Sequence, residues 1–70
     1  MRHTAPCKWF HPEKGYGFLL VDGQDAFVHA RDLEPGLILD EGVVVEFDLV
    51  QGPRGLRARN VGRVKVGDAP

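Results

Sequence analysis

Glycine or proline stands at positions 6, 12, 15, 17, 23, 35, 36, 42, 52, 53, 55, 62 and 67 of this chain. Proline removes a helical hydrogen bond and glycine raises the cost of ordering the backbone, so nothing here reads as a long helix. The intervals carry short apolar and aromatic runs bounded by turn formers, which predicts strands over residues 7–11, 16–21, 26–30, 43–51 and 56–64. Five strands in 70 residues leave no room for a second domain. The expected fold is all-β, a five-stranded antiparallel barrel over residues 1–66 with 67–70 as a frayed tail.

The connections support those boundaries. Pro12-Glu13-Lys14-Gly15 has type I turn chemistry, Asp22-Gly23 favours a tight hairpin, and Gly52-Pro53-Arg54-Gly55 separates the last two strands. In the long connection over residues 31–42, Pro35-Gly36 suits a type II turn, and Leu37-Ile38-Leu39 is expected to plug one barrel end. A chain of this size buries only about 60% of the surface its unfolded form exposes, which leaves little material for a catalytic cleft with its own supporting shell. A compact binding module is expected, not an enzyme.

Cys7 is the only cysteine, which excludes an internal disulfide and a CxxC zinc site and fits a reducing compartment. The first six residues lack the apolar stretch of a signal peptide, and no run approaches the roughly 18 residues of a membrane span. A soluble cytoplasmic protein without membrane partners is the expectation. His3, Cys7 and His11 recur every four residues, but Pro6 and Pro12 disfavour the helix that would align them and no fourth ligand is apparent, so no metal and no cofactor are expected. His29 has no nucleophile beside it that would give it acid-base work.

The formal net charge of −1 conceals an asymmetry. Residues 22–48 hold eight carboxylates against Arg31 alone, whereas Arg54, Arg57, Arg59, Arg63 and Lys65 follow without an intervening acid. One end of the domain should therefore be basic, although a charge-balanced solvated surface would read the same way.

Alternation separates two kinds of strand. In the fourth, Val43, Val45, Phe47 and Leu49 can face inward while Val44, Glu46, Asp48 and Val50 face out. In the second and third, Leu19, Val21, Ala26 and Val28 already supply a core, yet the opposite parity carries Tyr16, Phe18, Leu20, Phe27 and His29. Of six aromatic residues, only Phe47 lies beyond position 27. Side chains on one face of adjacent strands stand about 5 Å apart across and about 7 Å along, a spacing on which successive nucleobases can stack. Aromatics are ordinarily core. Here the filled opposite parity favours an exposed platform, with Gly15 and Gly17 read as clearing space for flat ligands and Lys8 and Lys14 as flanking phosphate partners.

Lys8-Trp9-Phe10 followed by Lys14-Gly15-Tyr16-Gly17-Phe18-Leu19 resembles the first ribonucleoprotein motif of the bacterial cold-shock proteins, and Phe27-Val28-His29 resembles their second. The likeness continues through Leu39-Asp40-Glu41-Gly42 and Val45-Glu46-Phe47 to Gly55-Leu56-Arg57-Ala58-Arg59-Asn60-Val61, so it spans residues 8–61. It implies an oligonucleotide-binding (OB-fold) barrel that holds single-stranded RNA or DNA by base stacking and often acts as an RNA chaperone. Carried onto this chain, the stacking positions are Trp9, Tyr16, Phe18, Phe27 and His29, joined by Lys8, Lys14 and Arg57 as polar partners. An RNA recognition motif shares the Lys14-to-Phe18 string but carries it late in a longer βαββαβ chain.

The chain departs from the family at several points. Ala30 stands where a further aromatic is usual, the loop over residues 31–42 is shorter and offers Leu37 and Ile38 in place of an exposed ring, and His11 replaces an Asn. Pro6 is expected to interrupt the first strand. Leu56 and Arg57 stand where the family tends to have Pro and Gln, Arg59 replaces a small residue, and arginine can pair with phosphate or lie flat on a base. A protein-interaction module using the same apolar face is the competing reading. A monomer is expected, with strand exchange between two copies as the alternative because Pro6 weakens the first strand.

Overall fold

The computed structural model describes residues 2–64; Lys65 and the expected tail over 67–70 lie outside the described residues. Strands β1 (His3–His11), β2 (Tyr16–Val21), β3 (Gln24–His29), β4 (Val44–Gly52) and β5 (Gly55–Arg63) close into a barrel in the order β1-β2-β3-β5-β4. A single 3-10 turn, Ala30–Asp32, follows β3. Neighbours run antiparallel except β3 and β5, which are parallel. Parity requires one such seam, because strand direction cannot alternate around a ring with an odd number of members.

The parity expected for the interior holds. Leu19, Val28, Val45, Phe47, Ala26 and Ala58 are fully buried, and Val61, Cys7, Ala5, Leu39 and Val21 complete the core. Burying a side chain such as Phe47 contributes about 1.5–3 kcal/mol. Leu39 seals one barrel end with Leu37 packed behind it, but Ile38, expected to share in the plug, is 81% exposed. The two-residue turn Asp22-Gly23 takes φ of 49° and 80°, the mirror-image turn whose twist matches the strands it joins.

Three local features differ from expectation. First, β1 begins at His3 and runs through Pro6. Residues 3–6 pair with β4 and residues 7–11 with β2, so Pro6 lies where the strand passes from one neighbour to the other. The ladder resumes at once, with the Cys7 N–H donating to the Val43 carbonyl at 2.8 Å. A proline is tolerated where its missing donor faces no second strand. Second, β3 stops at His29, and Ala30 opens the 3-10 turn.

Third, Gly17 is buried against β1, and its lack of a side chain serves packing, not ligand access. A Cβ there would lie 2.7 Å from the Cα and Cδ1 atoms of Phe10 and closer still to the Trp9 carbonyl oxygen. Gly17→Ala must therefore push β1 away from β2, and a loss of about 1–3 kcal/mol of unfolding free energy is expected in urea titration.

Burial pushes the Cys7 thiol up to about 11 from 9.0, with smaller contributions from Asp40 and Glu41. A thiol harder to ionise folded than unfolded contributes stability that is complete below about pH 9 and lost as pH rises through 11. Thermal melts between pH 8 and 11 should show this decline in the wild type and less of it in Cys7→Ala.

Candidate nucleic-acid interface

Strict alternation along β1 would send Trp9 the same way as Ala5 and Cys7, which are buried. Instead the β1–β2 register slips between Cys7 and Trp9: Cys7 pairs with Leu19, but Trp9 pairs with Phe18. One inserted residue reverses the side-chain parity. Trp9 and His11 then join the outer face that Tyr16, Phe18, Phe27 and His29 already occupy.

The pairing arranges this face as two rows. Trp9, Phe18, Phe27 and Arg57 are successive partners across β1, β2, β3 and β5. His11, Tyr16 and His29 form a second row across the first three strands. Ring centroids lie 5.2 Å apart for Trp9–Phe18, 5.8 Å for Phe18–Phe27, 6.0 Å for Tyr16–Phe27 and 6.5 Å for Phe27–His29. Most contacts are edge-to-face or tilted, the arrangement that the ring quadrupole favours. Each of Trp9, Tyr16, Phe18, Phe27 and His29 is half-buried, whereas Phe47 is completely enclosed. The rings form a surface, not a second core.

His11 belongs to this cluster, with its ring 4.9 Å from Trp9 and 6.2 Å from Tyr16. Sequence reasoning weighed it only as a metal ligand or a substitution, although its parity with Trp9 was the available signal. As for the metal set, Cys7 points into the core while His3 and His11 are exposed at opposite ends of β1. Among the described residues no group of three His, Cys, Asp or Glu side chains lies close enough to hold an ion.

The polar partners are placed unequally. Lys8 Nζ is 3.2 Å from Asp25, so this cation already has a carboxylate. Lys14 is exposed in the β1–β2 turn, two residues before Tyr16, and has no ion pair among the described residues. The Arg57 guanidinium carbon stands 5.8 Å from the centre of the Phe27 ring. Its Nη2 reaches Asp32 at 3.3 Å, while its buried Nε–H has no acceptor. His29 Nδ1 accepts the Arg31 backbone N–H at 3.1 Å, which leaves the proton of the neutral ring on Nε2, the other ring nitrogen.

A barrel with exposed rings on β1, β2 and β3 and an arginine completing the row narrows the field, and likeness to known proteins decides it. The model of the 'Cold-shock' DNA-binding domain matches residues 3–64. The chain belongs to the cold-shock domain family. It is 49% identical over 63 residues to the Cold shock-like protein CspA of Shewanella violacea, covering 84% of this chain and 90% of that protein. Over 61 residues it is 49% identical to the Cold shock-like protein CspLB of Listeria monocytogenes, covering 83% and 92%. Among solved structures, drosophila Unr CSD456 superposes with a TM-score of 0.75 at 18% identity, over all of this chain and 29% of that one, which supports the barrel fold. This cold-shock domain is thus a member of a nucleic-acid-binding family built on an OB-fold barrel, and no described helix is long and apolar enough to cross a membrane.

At the end of the platform, Ala30 is exposed, because the 3-10 turn breaks the alternation that would have pointed it inward. It borders an open groove of about 520 Å³ beside Phe10, Pro12 and Leu37. Ala30→Phe should extend the stacking surface and raise affinity for oligothymidine by about 1–2 kcal/mol with little change in melting temperature. Loss of about 1–3 kcal/mol of stability without tighter binding would show an overpacked site instead.

Proposed function

We propose that this cold-shock domain binds unpaired RNA or DNA by stacking bases on Trp9, Tyr16, Phe18, Phe27 and His29, with Lys8, Lys14 and Arg57 contacting phosphates or base edges, and acts as a chaperone of RNA structure. The observation that carries the reading is the half-exposed row from Trp9 through Phe18 and Phe27 to Arg57 across four strands. Stacking tolerates any sequence because every base has a π-face. It also demands a single strand, since a duplex keeps those faces inside its own stack. A protein that binds only unpaired segments shifts RNA away from stable hairpins by mass action, without covalent chemistry. In this reading the barrel works in the cytoplasm as a monomer, on unpaired RNA or DNA alike.

Three or four effective stacks of about 1–3 kcal/mol each, less the cost of ordering the strand, correspond to affinity near micromolar. Oligothymidine of about six or seven bases should quench Trp9 fluorescence saturably at low salt, and an unresponsive indole would overturn the reading. Phe18→Ala and Phe27→Ala should each weaken binding by about 1–3 kcal/mol and cost less stability than the roughly 3–5 kcal/mol expected of Phe47→Ala. Equal destabilisation by Phe18→Ala and Phe47→Ala would return these rings to the core. A protein partner that competes for the face while oligothymidine does not bind would favour the protein-interaction reading.

A further inference from the structure

The ring lattice ends at Phe27 and His29, and beyond them the surface changes character. On β5, Arg57 and Arg59 share the outer face while Ala58 points into the core. Asp32, in the 3-10 turn after β3, lies between them: Oδ2 is 3.3 Å from Arg57 Nη2 and Oδ1 is 3.5 Å from Arg59 Nε. The Asp32 side chain is only 9% exposed, whereas those of Arg57 and Arg59 are 41% and 54% exposed. One sunken carboxylate thus holds two guanidiniums at the surface. Arg31 adds a third, exposed and without an ion pair among the described residues.

The other acids nearby have cationic partners of their own. Glu34 faces Arg63 at 3.9 Å, and Glu46 and Asp48 face Arg2 at 3.5 and 3.4 Å. An open groove of about 500 Å³ runs past Arg31, Asp32, Glu34, Arg59 and Asn60, with Arg2 also on its wall. On the opposite flank of the platform, Lys8 is matched one-to-one by Asp25.

We propose that Arg57, Arg59 and Arg31, set around Asp32, form a phosphate track that carries the sugar–phosphate backbone of a bound strand beyond Phe27, so that the contacted segment is longer than its stacked part. This rests on the stacking reading above. Past Phe27 the cluster offers guanidiniums and no ring, so phosphodiester oxygens are the groups it suits best. Each guanidinium carries five N–H donors in a planar fork, and Asp32 engages only part of each. Phosphate can therefore be bound without breaking the pairs that hold the side chains in place. The track is coupled to the platform, because the 3-10 turn that carries Arg31 and Asp32 is capped by the His29 ring.

The test uses the full chain, Trp9 fluorescence, and three probes: hexathymidine alone and hexathymidine extended by three abasic nucleotides at either its 5′ or its 3′ end. Abasic nucleotides add phosphates without bases. One extended probe should bind several-fold more tightly than plain hexathymidine at low salt, with a log–log salt slope steeper by about 0.7 for each phosphate gained. Arg59→Gln should shrink the ratio of the two affinities towards one. Arg31→Gln should lower the same ratio without touching the Asp32 pairs, and so reports on the track even if Arg59→Gln perturbs folding. If neither extension tightens binding, or if the gain persists in both variants, the track is overturned. Failure of plain hexathymidine to bind would overturn the stacking reading itself, and the track with it.

Discussion

A strand that must send residues of one parity into the core at one end and onto the outer face at the other cannot obey strict alternation. In β1, Ala5 and Cys7 are needed inside and Trp9 outside, two residues apart. The single-residue slip between Cys7 and Trp9 resolves this conflict. The contribution of β1 to the outer face depends on it, because it brings Trp9 opposite Phe18 and His11 opposite Tyr16. Gly17 is the counterpart of the slip. With Phe10 pressed towards the barrel, its partner across the ladder can carry no side chain.

Closing five strands adds a second constraint, the parallel seam between β3 and β5. It is sparsely bridged, at Phe27 to Arg57 and again outside the strands at Leu33 to Val61. That seam sets Arg57 beside the last ring of the platform and makes room for the 3-10 turn that carries Asp32. Topology thus decides where the aromatic surface gives way to a cationic one. The β4–β5 ladder has its own irregularity: the register slips between Glu46 and Asp48, and on the facing strand Asn60 adopts φ of 52°. The Asn60 amide donates to Asp48 at 2.8 Å, which is the main reason the Asp48 carboxyl is held below its ordinary range, with Arg2 adding to the effect.

The amino-acid sequence made the interior legible, since the parities of Leu19, Val28, Val45 and Phe47 follow from alternation along their own strands, the extra residue of the β4–β5 slip lying on β5. It also made most of the platform legible, because once that parity is filled the rings of β2 and β3 must lie on the other side. The slip in β1 was less accessible. A conflict between an inward Cys7 and an outward Trp9 signals it only after both directions have been assigned. Pro6 was misleading, since its effect depends on which neighbour the strand faces at that residue, and that is a property of the closed barrel. The pairing of Lys8 with Asp25, and of Arg57 and Arg59 with Asp32, joins residues far apart in the chain, so local patterning holds no trace of it. Ile38 shows the limit of composition: within Leu37-Ile38-Leu39 the flanking residues turn inward and the middle one is left in solvent.

The pairing of cations with acids bears on selectivity. A surface of free lysines and arginines adheres to any polyanion, duplex or single strand, through counterion release. Here Lys8, Arg57 and Arg59 each have a carboxylate within 3.5 Å, and the chain carries a formal net charge of −1. Each pair leaves some donors of its cation free, so a correctly placed phosphate can add to it, while a loosely approaching one meets a charge already matched and gains little. In the proposed mode of binding, correct placement is what the rings provide, since a strand whose bases are stacked has its phosphates held beside the same arginines. A duplex offers the phosphates but keeps its base faces hidden, and so meets neither the rings nor the geometry. Preference for unpaired strands then follows from the need to satisfy both contacts together, with the acidic partners suppressing the electrostatic half on its own.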